Sequence, residues 1–232
     1  MFNRPPVSED VQTWLVQQFE WAITVGLLGK DTPLVTPEQK FFPAPKGDAQ
    51  QVVKGLIGNI LEILGHKDDR IDVLPIDRPN AEYRAPGAFE ALGETAGAWA
   101  GDEDSSIIFY DPEMVARPGV LLATLVHEVM HHVLHKHPTA DGPEEELRTD
   151  VHMITSGFGL IAMIGAEESG WLGYMRQQTR AYGTAMFLTL FDKDHQAVER
   201  WLSGRMTKAV KRSLKHIDST GACAPLNERL AA

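Results

Sequence analysis

Leu125-Val126-His127-Glu128-Val129-Met130-His131 is the stretch that decides how the chain folds. Residues four apart on a helix share one face, so His127 and His131 direct their imidazoles at a common point. Glu128 is then placed to take a proton from water activated there. Working outward, Val120, Leu121, Leu122, Val133 and Leu134 extend an apolar pattern around much of the helix, which predicts burial. Asp111-Pro112 and Pro118-Gly119 punctuate the chain before it, and His137-Pro138 ends it. A buried glutamate between two histidines has no cheap structural purpose. The pattern points to a catalytic metal site, with His127 and His131 as ligands and Glu128 as base.

Catalytic zinc takes three protein ligands and leaves a position for water. Two candidates exist for the third. His137 falls at the last position of H-E-x-x-H-x-x-G-x-x-H. Leu134 stands where that pattern needs a glycine, so the helix is expected to continue and carry His137 about 15 Å along the axis from His127. His135 fails for the same reason. The second candidate lies in Glu144-Glu145-Glu146-Leu147-Arg148-Thr149-Asp150. Pro143 and the glutamates read as a helix start, and small or apolar residues run on from Val151 to Ala166. Glu146 and Asp150, four apart, share a face. One of them can bind the metal while the other accepts the free N–H of a ligand histidine.

His127-Glu128-x-x-His131 followed by Glu146-x-x-x-Asp150 resembles the gluzincin pattern of zinc metallopeptidases, shared by thermolysin-like and HtpX-like enzymes. Thr149-Asp150, Gly157-Phe158-Gly159, Gly173-Tyr174 and Ala181-Tyr182 are also similar to a group of uncharacterised bacterial H-E-x-x-H proteins. The resemblance spans roughly residues 94–190. It implies that Glu146 is the third zinc ligand and that Asp150 supports a ligand histidine. It also implies one zinc ion per chain and a peptide or protein substrate. The HtpX-like enzymes are membrane proteins, whereas no run of 18 uninterrupted apolar residues is present here.

The chain has 232 residues, which suits one domain. A net charge of −10 argues against nucleic acid as the main partner. The basic cluster Arg205–Lys215 has the spacing of a solvated helix face. A lone cysteine, Cys223, excludes an intrachain disulfide framework. Arg4-Pro5-Pro6 interrupts the start and no export signal is legible. The expectation is a bacterial cytoplasmic protein with no membrane insertion.

Periodicity predicts helices over Ser8–Leu28 and Asp48–Leu64, a loop packed over the core at 29–47, and a strand at Ile71–Ile76. Residues 77–93 read as irregular. Gly97–Ala100 and Ser106–Tyr110 form an expected hairpin with its turn at Gly101–Asp104. The metal helix and the Glu146 helix follow, then a helix over Tyr174–Phe191 and one or two more across 194–215. The predicted class is α+β and zincin-like: one domain over 1–220, mostly helical, with a small twisted sheet beside the metal helix. In that domain, helices over 8–64 precede a sheet and metal core over 71–166, and helices over 174–216 follow. Residues 221–232 are expected to be a poorly ordered tail.

Ser105–Tyr110 is either an edge strand that pairs with an extended peptide or an ordinary core strand. The candidates for stabilising an oxyanion are Tyr174 and Tyr182. His152 points about 120° away from the Glu146 face. His132 and His135 are expected at the surface, and Trp99 and Trp171 in packing roles. Two functional classes follow. One is a soluble zinc-dependent hydrolase, most simply a metallopeptidase. The other is a zincin-fold binding or regulatory protein with little or no turnover. Hydrolysis of a non-peptide amide is a third outcome of the same chemistry.

Overall fold

The computed structural model describes residues 4–44, 46–76, 97–101, 106–137, 144–170, 174–193 and 195–231. The expected irregular segment at 77–93, the hairpin turn around Asp102–Asp104 and Trp171 lie outside them.

Helix α1 (Glu9–Thr24), four residues shorter at its end than expected, buries Leu15, Phe19 and Ala22. Helix α2 (Ala49–Ile63) starts at a capping box. The Asp48 carboxylate accepts the Gln51 N–H at 2.9 Å, and the Gln51 side-chain oxygen accepts the Asp48 N–H at 2.9 Å. The intervening loop lies on the core as expected, with Val35 and Thr36 buried.

Three strands form one sheet: β1 (Asp72–Pro75), β2 (Gly97–Gly101) and β3 (Ser106–Tyr110), in the order β1-β3-β2. β2 and β3 are antiparallel, as the hairpin reading requires, and β1 runs parallel to β3. β3 is therefore the core strand of the two alternatives, hydrogen-bonded on both sides, and the edge next to the helix that carries His127 is β2. The alternation of β3 turns Ser106, Ile108 and Tyr110 inward.

A 3₁₀ turn (Pro112–Ala116), capped by the Asp111 side chain, leads into α3 (Pro118–His135). Proline at the first position of α3 loses no hydrogen bond, because that N–H has no helical acceptor. The next helical run is α4 (Glu145–Met153), a π turn (Ile154–Phe158) and α5 (Gly159–Glu168). From Val151 to Met163 it is buried on all sides because it serves two cores. Val151, Ile154, Leu160 and Met163 pack with α1 and the later helices, while Met153, Phe158 and Ile161 pack with α2, α3 and the sheet. Among the described residues this 24-residue run is the one helix long and apolar enough to cross a bilayer, and 94% of its apolar window is buried inside the protein.

Helices α6 (Gln177–Leu190), α7 (Gln196–Trp201) and α8 (Gly204–Thr220) complete the first core. The expected disordered tail is instead helix α9 (Ala224–Ala231). Gly221 takes a left-handed conformation (φ 65°) that ends α8 and turns the chain back. Cys223 and Leu226 are then buried, and Arg229 pairs with Glu20 of α1 at 3.2 Å.

The π turn is held from outside. Gly157 has φ 89°, and its carbonyl accepts the Val35 N–H at 3.0 Å. A Cβ at this position would lie 1.9 Å from the Pro33 carbonyl oxygen, so backbone blocks it. Gly157→Ala is expected to destabilise the fold by roughly 2–4 kcal/mol, combining left-handed strain with overpacking. Urea unfolding measures this; a stability within about 0.5 kcal/mol of wild type would show that the fold does not depend on Gly157.

Candidate metal centre

α3 positions His127 and His131 one turn apart, and the first turn of α4 brings Glu146 against both. His127 Nε2 lies 3.0 Å from Glu146 Oε2 and 3.1 Å from His131 Nε2, and His131 Nε2 lies 3.5 Å from the same carboxylate oxygen. Ligands on a tetrahedral zinc ion with bonds of about 2.0–2.1 Å sit about 3.3 Å apart. The three donor atoms bracket that spacing. The set fits a divalent metal ion, and among the described residues it is the one such group.

Each imidazole is oriented from behind. His127 Nδ1 donates to Asp150 Oδ1 at 3.2 Å, which leaves Nε2 free as a donor atom for metal. The Thr149 hydroxyl donates to the Glu145 carbonyl at 3.0 Å and offers its lone pair to His131 Nδ1 at 3.4 Å. Asp150 Oδ2 accepts the Met175 N–H at 3.0 Å and the Arg180 Nη2 at 2.6 Å.

The electrostatics follow from burial and pairing. Burial opposes charge on His127, but hydrogen bonds to Asp150 and Glu146 outweigh it and raise its pKa to about 9. Hydrogen bonds from His127 and His131 hold Glu146 down at about 2. Asp150 is also lowered, since contacts with His127, Arg180 and the Met175 amide overcome its burial. Glu128 is 7% exposed, and burial raises its carboxyl against the pull of both imidazoles. β2 lies close over it: a Cβ on Gly97 would meet Glu128 Cγ at 3.1 Å and Thr124 Cγ2 at 2.7 Å. All these groups face a cavity of about 950 Å³, whose lining includes Trp99, His127, Glu128, His131, Glu146 and Tyr174.

Other expected residues sort clearly. Tyr174 is 60% exposed, lines the cavity and stacks over the His127 ring at 6.1 Å and 17°. Tyr182 is not at the site. It is buried in the first core, with its hydroxyl bonded to Gln12 at 3.2 Å and His216 at 3.3 Å. The reason is helical: Arg180 of α6 faces the cavity, and Tyr182 lies about 200° further round. His132 is buried rather than at the surface, between Ser106 Oγ at 2.7 Å and Asp69 Oδ2 at 3.0 Å. His135 is exposed, as expected. α3 does run past Leu134, and His137 lies against Trp21, 5.9 Å between ring centroids, outside the donor group. His152 is buried against Trp21 and does not line the cavity. Trp99, expected in a packing role, lines the cavity with its ring stacked 11° from parallel to that of His131. Arg180 is a site residue that the sequence does not single out. Its one signal is a lone cation leading into the apolar run Ala181–Leu190, the same kind of sign that marks Asp150.

Comparison with known proteins returned no matching family model, curated protein or solved structure.

Two expectations follow. Glu146→Ala should weaken zinc binding at least about 10-fold, while His137→Ala leaves it unchanged, as read by chelator competition. The opposite pattern would move the site to His137. In addition, His127 carries a proton below about pH 9 in the metal-free protein, and metal must displace it. Apparent zinc affinity should therefore rise with pH between about 7 and 9, by up to about tenfold per unit. A flat profile would contradict the assigned role of His127.

Proposed function

We propose that this protein is a zinc-dependent hydrolase of peptide bonds, with His127, His131 and Glu146 holding the ion and Glu128 acting as general base. The observation that carries the reading is the buried Glu128 carboxylate facing the cavity beside three metal-competent donors. A sheet edge along the metal helix supports a zincin-like arrangement. Zinc bound here supplies Lewis acidity that acidifies water and polarises a carbonyl.

The remaining work falls to the chain. Glu128 accepts a proton from the attacking water and returns it to the departing amine nitrogen. Its raised pKa suits this exchange, because a carboxylate poised nearer neutrality both takes and gives the proton readily. Partial desolvation at the cavity wall and the nearby Glu146 and Glu128 carboxylates raise the Tyr174 pKa, so its phenol stays protonated and can donate to a developing oxyanion. Gly97–Trp99 of β2 border the cavity. Their backbone, rather than that of Ser105–Tyr110, suits pairing with an extended substrate.

Turnover of a mixed peptide library, abolished by chelator and restored by zinc, tests the reading. Zinc binding with no peptide cleaved would favour the binding-protein alternative. Glu128→Gln keeps size and both histidines while removing the base. It should retain zinc and lose activity by roughly 10²-fold or more; undiminished turnover would exclude Glu128 as the base.

A further inference from the structure

We infer that Arg180 is a positioning residue for the metal centre, acting through Asp150 to hold the His127 ring in its ligating orientation. The inference rests on the metal-binding reading above and adds a residue from a third helix to it.

Arg180 is energetically out of place. The side chain is 4% exposed at the start of a stretch of helix buried from Arg180 to Leu188, and its Nε and Nη1 are buried with no hydrogen-bond partner among the described residues. Burying guanidinium N–H groups unpaired is unfavourable, and an apolar residue would fill this place without that cost. The one strong contact Arg180 makes among the described residues is Nη2 to Asp150 Oδ2 at 2.6 Å. Its role must therefore be sought in what Asp150 does.

Asp150 has a geometric task. Its Oδ1 accepts the His127 Nδ1–H, and that bond selects which imidazole nitrogen is left to ligate. The terminal torsion of an aspartate is broad, so one hydrogen bond does not fix the carboxylate plane. Bonds at both oxygens do. Oδ2 receives Arg180 from α6 and the Met175 N–H from the segment before α6. Arg180 thus anchors the carboxylate from the far side, and the chain Arg180–Asp150–His127 links α6, α4 and α3 in one line. Met175 also follows Tyr174, the ring stacked on His127, so the same carboxylate steadies that imidazole both at its edge and through its stacking partner.

The test is a double-mutant cycle on zinc affinity, measured by chelator competition on the full chain. Arg180→Met should weaken zinc about 10–100-fold, the range seen when the partner of a ligand histidine is lost. Arg180→Lys keeps a donor but not the planar fork, so its loss should be smaller. In an Asp150→Asn background, Arg180→Met should add less than about threefold, because its route to the metal is already cut. Nitrogen-15 histidine spectra of the zinc-loaded protein should show His127 ligated through Nε2 alone in wild type, and a fraction ligated through Nδ1 or released from the ion in Arg180→Met. Wild-type affinity in Arg180→Met, or an equal further loss in the Asp150→Asn background, would overturn the inference and leave the metal site standing. Failure of the wild-type chain to bind zinc would remove both. Should Arg180→Met not fold, Arg180→Lys carries the cycle, and an effect of it that is undiminished in the Asp150→Asn background would equally overturn the inference.

Discussion

Four polar side chains, His127, Glu128, His131 and His132, occur within about one and a half turns of a helix that is otherwise packed in an apolar core. Water reaches them only from the cavity, so neighbouring elements must supply most of their partners. α4 answers with Glu146, Thr149 and Asp150, spaced to put three acceptors on one face against α3. β3 and the loop after α2 answer with Ser106 and Asp69 on the two nitrogens of His132. β2 answers by close approach, which its Gly97 permits. The arrangement of sheet and helices about α3 is thus a set of replies to its polar face. Lys136 and His66 also meet Asp69, so the end of α3 is fastened to that loop by charge as well as by packing.

The parts legible in sequence are those where spacing alone determines geometry. A four-residue interval on a helix places His127 with His131 and Glu146 with Asp150, whatever the rest of the fold does. Leu134 in place of glycine carries the helix onward and removes His137 from the donor group. What is not legible depends on partners distant in the chain. His132 looks like the polar end of a helix, and its burial is decided by Asp69, 63 residues earlier. Strand order is a long-range property too: β3 is central because β1 arrives parallel to it, which no local pattern in Ser106–Tyr110 announces. On α6, burial on every face from Arg180 to Leu188, with polar residues scattered round it, leaves no stripe to say whether Arg180 or Tyr182 faces the site. The last helix is hidden for a related reason. Ala224–Ala231 is short, and its single buried apolar contact, Leu226, has meaning only once α1 is there to receive it.

The helical run from Glu145 to Glu168 has the length and apolarity by which a bilayer selects its own segments. In chain order it follows α1, the Pro33–Val35 strap, α2 and α3. Much of the surface that covers it has therefore left the ribosome before it emerges, and its apolar faces have somewhere to go during synthesis. Its leading end carries Glu145, Glu146 and Asp150, and each such charge weighs against transfer into lipid. The carboxylates that complete the His127–His131–Glu146 group thus also bias the medium in which their own helix comes to rest.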